Sequence, residues 1–85
     1  METKFLDKKV RKFIIAALSS PITYLYKKPG EYEYRFFKNI ERATKFLERF
    51  DAEIFLKEYY EATGDDNLEM LVIPVDISYE LIREE

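Results

Sequence analysis

The chain contains no cysteine and no histidine. The first absence excludes disulfides, thiolate metal sites and thiol nucleophiles, and the second removes the commonest general base and metal ligand. No nucleophile with an adjacent base and no convincing metal cage is visible in what remains, so the sequence reads as non-catalytic and without a cofactor. Tryptophan and glutamine are missing too, only two asparagines occur, and Lys, Arg and Glu are plentiful. That bias against thermolabile residues and toward ion pairs resembles thermophile composition. With two glycines and three prolines there is no flexible or low-complexity tract to mark a linker.

What is present fits one small domain. Eighty-five residues, 47% hydrophobic and 36% charged, suffice for a single modest core, and residues 1–85 read as one α+β domain. The longest apolar run near the start, Phe13 to Leu18, is far shorter than the roughly 20 residues of a membrane span, and the stretch before it lacks signal-peptide character. The expectation is a cytoplasmic protein with no membrane partner.

Charge is divided along the chain. Residues 1–49 hold 12 Lys and Arg against 6 Asp and Glu, whereas residues 50–85 hold 2 against 11. Such asymmetry points to a charged partner, to a second copy of the chain, or to neutralisation within the fold.

Residues 3–19 place Leu6, Val10, Phe13, Ile14, Ala17 and Leu18 at helical spacing, with Lys4, Lys8, Arg11 and Lys12 together on the opposite side and Pro21 closing the helix. The aromatic-rich "ITYLYK" and "YEYRFF" flank Pro29-Gly30 and predict a β-hairpin over residues 22–37. The expected register pairs Tyr26 with Tyr34, Tyr24 with Phe36 and Lys27 with Glu33, which makes one face almost wholly aromatic.

From Asn39 to Thr63 the pattern is again helical, with Gly64 as the terminating residue. Its apolar residues form two stripes about 150 degrees apart at the helical period: Ile40, Ala43, Leu47, Phe50 and Ile54, then Ala52, Phe55, Leu56 and Tyr59. Either the helix breaks at Asp51 or the second stripe is a contact surface. A third strand spans residues 68–77, in which Pro74 requires an edge or a bulge, and Ser78 caps a last short turn. The predicted architecture is a small three-stranded sheet packed by two to three helices, in the order α-β-β-α(-α)-β.

Asp65, Asp66 and Glu69 offer oxygen ligands for a magnesium ion, but a solvated turn explains them more simply, and no metal site is assigned. The predicted element order is similar to the type II KH and BolA-like arrangement. The glycine-x-x-glycine loop of the first and the histidines of the second are absent, so neither activity carries over. "EIFLKEYY" resembles a sliding-clamp-binding box, with Leu56, Tyr59 and Tyr60 at its apolar positions and Glu53 where glutamine is usual.

The functional expectation is a protein-protein interaction module, an accessory subunit or regulator of a larger protein or a homodimer, docking through Ala52, Phe55, Leu56 and Tyr59. The alternative is a nucleic-acid-binding regulator that uses Lys4, Lys8, Arg11, Lys12, Lys27 and Lys28 on phosphates.

Overall fold

The computed structural model describes the backbone of residues 4–82 and the side chains of residues 9–78. Strand β1 (Lys4–Ala17) is followed by β2 (Thr23–Lys27), β3 (Tyr34–Phe37), a single 3-10 turn (Ile40–Arg42), helix α1 (Arg49–Thr63) and β4 (Met70–Ile82). The four strands make one antiparallel sheet in the order β3-β2-β1-β4. A four-stranded sheet with one α-helix therefore replaces the expected three strands and two to three helices, and the similarity in element order to KH and BolA-like proteins does not survive.

The largest correction is at the beginning of the chain, where the expected helix over residues 3–19 is strand β1. Its register runs from Lys4 opposite Ile82 to Ala17 opposite Met70, with one bulge between Lys4 and Leu6. Val10, Phe13, Ile14 and Ile15 are β-branched or aromatic and suit a pleated surface, and their backbone groups satisfy those of β4. Beyond Ile77, where a helical turn capped by Ser78 is expected from sequence, β4 continues as strand to Ile82.

The hairpin forms, but one residue out of the expected register. Tyr24 pairs with Phe37, Leu25 with Phe36, Tyr26 with Arg35 and Lys27 with Tyr34. The Glu31 N–H donates to the Lys28 carbonyl at 3.1 Å, and Gly30 has φ 83°. Pro29 and Gly30 thus occupy the central positions of a type II turn, whose second position requires positive φ. Residues 31–33 lengthen the loop and shift the pairing. Leu25 and Phe36 now share one face, while Tyr24, Tyr26, Arg35 and Phe37 share the other.

After β3, Asn39 does cap a helical turn, since its Oδ1 accepts from the Glu41 N–H at 2.9 Å. The turn ends at Ala43, which is extended at ψ 144°. Residues 43–46 then pass between β1 and β2. Thr44 N–H donates to the Leu25 carbonyl at 3.1 Å, and Phe46 and Phe13 exchange N–H···O=C bonds of 2.8 and 2.9 Å. This segment fills a fork in the sheet, because β1 and β2 pair directly only at Ala16–Tyr24 and Ala17–Thr23. The expected helix over residues 39–63 is accordingly split, but before Arg49 and not at Asp51. Gly64 terminates α1 with φ 64°, its N–H donating to the Tyr60 carbonyl.

Having crossed the fork, the chain lays α1 over one face of the sheet. Ile15, Ala17, Leu25 and Met70 pack there against Tyr59, with Phe55, Leu56 and Phe46 around them. Tyr59 stands edge-on to Tyr34 and Phe36, at ring-centre distances of 5.0 and 5.9 Å. Pro74 lies on edge strand β4, as its missing N–H requires. Its partner Phe13 spends both backbone groups on Phe46, so Pro74 sits at a non-hydrogen-bonded position where β1 asks nothing of it. Past Phe13 and Pro74, β1 and β4 have only each other within the sheet, and this two-stranded ribbon contributes to the 54 × 26 × 22 Å dimensions of the molecule.

Candidate interaction surfaces

Helix α1 carries the second expected stripe and only Phe50 and Ile54 of the first, and the sides these present are the reverse of the sequence expectation. Ala52 and Tyr59 are buried on the sheet, with Phe55 and Leu56 half-buried beside them. The stripe expected to meet a partner is therefore occupied by the protein's own core. The sliding-clamp-like residues Leu56, Tyr59 and Tyr60 belong to the same packing. On the opposite side of the helix Phe50 and Ile54 are 68% and 41% exposed, and Leu47, in the bend just before the N-cap, is 63% exposed. Glu53 and Glu58 flank them on the helical wheel. Sequence reasoning assigned these three to the core. Glu48 at the N-cap makes no side-chain hydrogen bond, so no capping signal announced where the helix starts.

The other face of the sheet carries a different chemistry. Tyr24, Tyr26 and Phe37 lie there half-buried, with Tyr26 and Phe37 5.5 Å apart between ring centres. The guanidinium of Arg42 sits 3.8 Å from the centre of the Phe37 ring. Residues 35–45 hold four cations against one acid, whereas residues 49–69, which form α1 and the loop after it, hold two cations against seven acids.

The cations proposed for phosphate contact do not form one row. Adjacent residues of a strand point to opposite faces, so Arg11 and Lys12 diverge, and the side chains of Lys4 and Lys8 lie outside the described residues. Lys27 stands 5.7 Å from the Tyr34 ring centre, and Lys28 is 3.7 Å from Glu31. Arg11 bonds the partner-strand carboxylate of Asp76 at 2.9 and 3.3 Å, so part of the charge asymmetry is neutralised within the fold.

The Asp76 carboxyl is held below its ordinary range, chiefly by the hydrogen bond from Arg11 and then by the charges of Arg11 and Lys9, against the opposing effect of desolvation. A depressed folded value contributes stability above the unfolded value and loses it as pH falls through the folded one. Both side chains are solvent-exposed, so the energetic effect is small. NMR titration is expected to show Asp76 deprotonating at lower pH than an isolated aspartate, and Arg11→Gln to return it toward the ordinary value. An unchanged midpoint in that variant would refute the pairing in solution.

At the end of α1, the Tyr59 hydroxyl donates to Asp65 Oδ2 at 3.1 Å, and Asp65 Oδ1 accepts from the Asn67 N–H. Burial pushes the Tyr59 phenol above its ordinary value, and hydrogen bonding to Asp65 adds to the rise. Asp65 is thus a structural turn residue. Among the described residues no group of three or more acidic side chains is placed to hold a metal ion. A recess of about 670 Å³ lies beside this turn, lined by Tyr60 and residues 64–70. Among the described residues, no helix is long and apolar enough to cross a membrane.

No protein-family model matches the chain, and no curated protein or solved structure shows significant similarity to it.

Proposed function

We propose that this protein is a non-catalytic interaction module, an accessory or regulatory subunit, that docks through the outward stripe of α1. The observation that carries this reading is the exposure of Phe50 and Ile54 on the outward side of α1, with Leu47 exposed in the bend that leads into it. Single exposed apolar residues are ordinary, but a contiguous group leaves burial worth roughly 1.5–3 kcal/mol per side chain unused. The non-catalytic part rests on composition and geometry. There is no histidine or cysteine, and the Ser19 hydroxyl is engaged with backbone carbonyls and Thr23.

A second copy of the chain fits the stripe best. Phe50 and Ile54 are one helical turn apart, so an antiparallel copy of α1 sets Phe50 of each copy against Ile54 of the other, with Leu47 just before the helix at the edge of the contact. Such a patch is self-complementary, as two-fold pairing requires. Three side chains bury less than a standard interface, so the pairing is weak and concentration-dependent. Sedimentation is expected to show a monomer–dimer equilibrium that Phe50→Glu abolishes, while the melting temperature is nearly unchanged because Phe50 lies outside the core. A wild-type protein that stays monomeric at about 1 mM, where an affinity of only about 4 kcal/mol would show, defeats this form of pairing. Unfolding of the Phe50→Glu variant would instead place that residue in the core.

A further inference from the structure

We propose that the sheet face opposite α1 is a binding site for single-stranded nucleic acid, with Tyr24 and Tyr26 as the base-stacking surface and Arg35 and Arg42 as the phosphate contacts. The site is separate from the α1 stripe and does not depend on its pairing.

The argument begins with register. Tyr24 opposite Phe37 and Tyr26 opposite Arg35 bring the aromatic residues of two strands onto one face. Ala16, opposite Tyr24 on β1, is small, so the Tyr24 ring has no bulky neighbour at that position. An aromatic surface of this kind is sequence-tolerant toward bases, because every base has a π face. Tyrosine also suits a wet surface, since its hydroxyl stays solvated while its ring is in contact.

Charge completes the site. Among the described residues, Arg35 is the charged strand residue that shares this face with Tyr24 and Tyr26 on the paired strands β2 and β3, and it is cationic. Arg42 is the most informative residue. Its guanidinium rests on Phe37 without consuming its N–H donors, and among the described residues its side chain donates to no protein acceptor. A guanidinium held in this way is pre-organised for a phosphate or a base edge. Arg35 is partly committed, since it donates to Glu33 at 3.2 Å, and must exchange that partner for a phosphate. Residues 49–69 of α1 and its following loop hold seven acids, whereas Glu41 is the one acid among residues 35–45, so the overall net charge of −3 does not describe the segment around Arg35 and Arg42. An acidic peptide meets the same cations but gains less from the aromatic surface, and the experiment separates the two.

The test is fluorescence anisotropy with a labelled oligothymidylate of about 15 nucleotides, long enough for one such surface. At low salt, binding is expected in the range of about 1–100 μM, weakening linearly in log–log with salt. Tyr26→Leu, which keeps the apolar bulk and removes the aromatic face, is expected to weaken binding about 5- to 150-fold, the loss of one stacked base. Arg42→Ala and Arg35→Ala alter exposed side chains, should leave melting nearly unchanged, and should each reduce the salt slope by about 0.7. Heparin and polyglutamate serve as base-free anions. Binding of either as tightly as the oligonucleotide, indifference to Tyr26→Leu in a folded protein, or no binding at about 100 μM protein would overturn the proposal. Phe50→Glu should bind the oligonucleotide like the wild type, so failure of the pairing and failure of this site give different results.

Discussion

Replacing Tyr59 with alanine is expected to lower stability by about 3–5 kcal/mol, the range for removing a buried aromatic side chain. An 85-residue domain has a total stability of only about 4–13 kcal/mol, so the variant should be largely unfolded at physiological temperature. Tyr59 is 3% exposed, the central aromatic of the helix–sheet interface, and meets Tyr34, Phe36 and Tyr60 edge-on. Tyr59→Phe separates packing from polarity. It retains the ring contacts, loses the hydrogen bond to Asp65, and should cost about 0.5–1.5 kcal/mol. Urea denaturation of the three proteins gives both differences. A loss below about 1 kcal/mol in Tyr59→Ala would mean that α1 does not pack on the sheet as described.

The second large effect is expected at Ile14, on the other side of the same sheet. Its exposure is 0%, although it faces away from α1, because Ile73 lies opposite it and residues 43–46 fill the fork on its other flank. Ile14→Ala should therefore cost about 2–5 kcal/mol, as a core truncation does. Val10, four residues earlier on the ribbon, is only half-buried, and Val10→Ala should cost appreciably less. Chemical denaturation of the two variants checks the order. Equal small losses would show that the fork segment is not seated against β1. Hydrogen exchange adds an independent measure, since the Phe13 and Phe46 amides should be protected in the wild type and lose protection in Ile14→Ala.

The burial of Ile14 also explains why β1 was not legible in the sequence. Ile14, Ile15, Ala16 and Ala17 are all buried, the odd-numbered pair beneath α1 and the even-numbered pair on the opposite face beside the fork. When both faces are covered, strand alternation disappears, and the surviving pattern fits a helix equally well. The hairpin strands and their turn were legible from Pro29-Gly30 and the β-formers around it. Their register was not, because adjacent Phe36 and Phe37 let an aromatic residue fall on either face. Gly64 and Pro74 each declared their place through backbone chemistry that tertiary contacts do not alter. The helix expected from Asn39 begins only as one turn that this residue caps, because bonds from Thr44 to Leu25 and from Phe46 to Phe13 then draw the chain into the sheet. For the interaction surfaces, the charge asymmetry and the double stripe on α1 were both readable. Which stripe faces the sheet depends on where the helix enters, and Glu48 gives no signal of that.

The pairing of Lys4 with Ile82 has a kinetic consequence. The longest run of strand contacts in the molecule joins the two ends of the described chain, so almost the whole polypeptide is the loop that must close before β1 and β4 can meet. Closing long loops is entropically costly, and topologies dominated by such contacts fold slowly. The hairpin and helix are local and can form early, while the ribbon zips last. Until it does, Ile14 and Ile15 lack their β4 partners, and the folding chain leaves the apolar residues of both strands exposed.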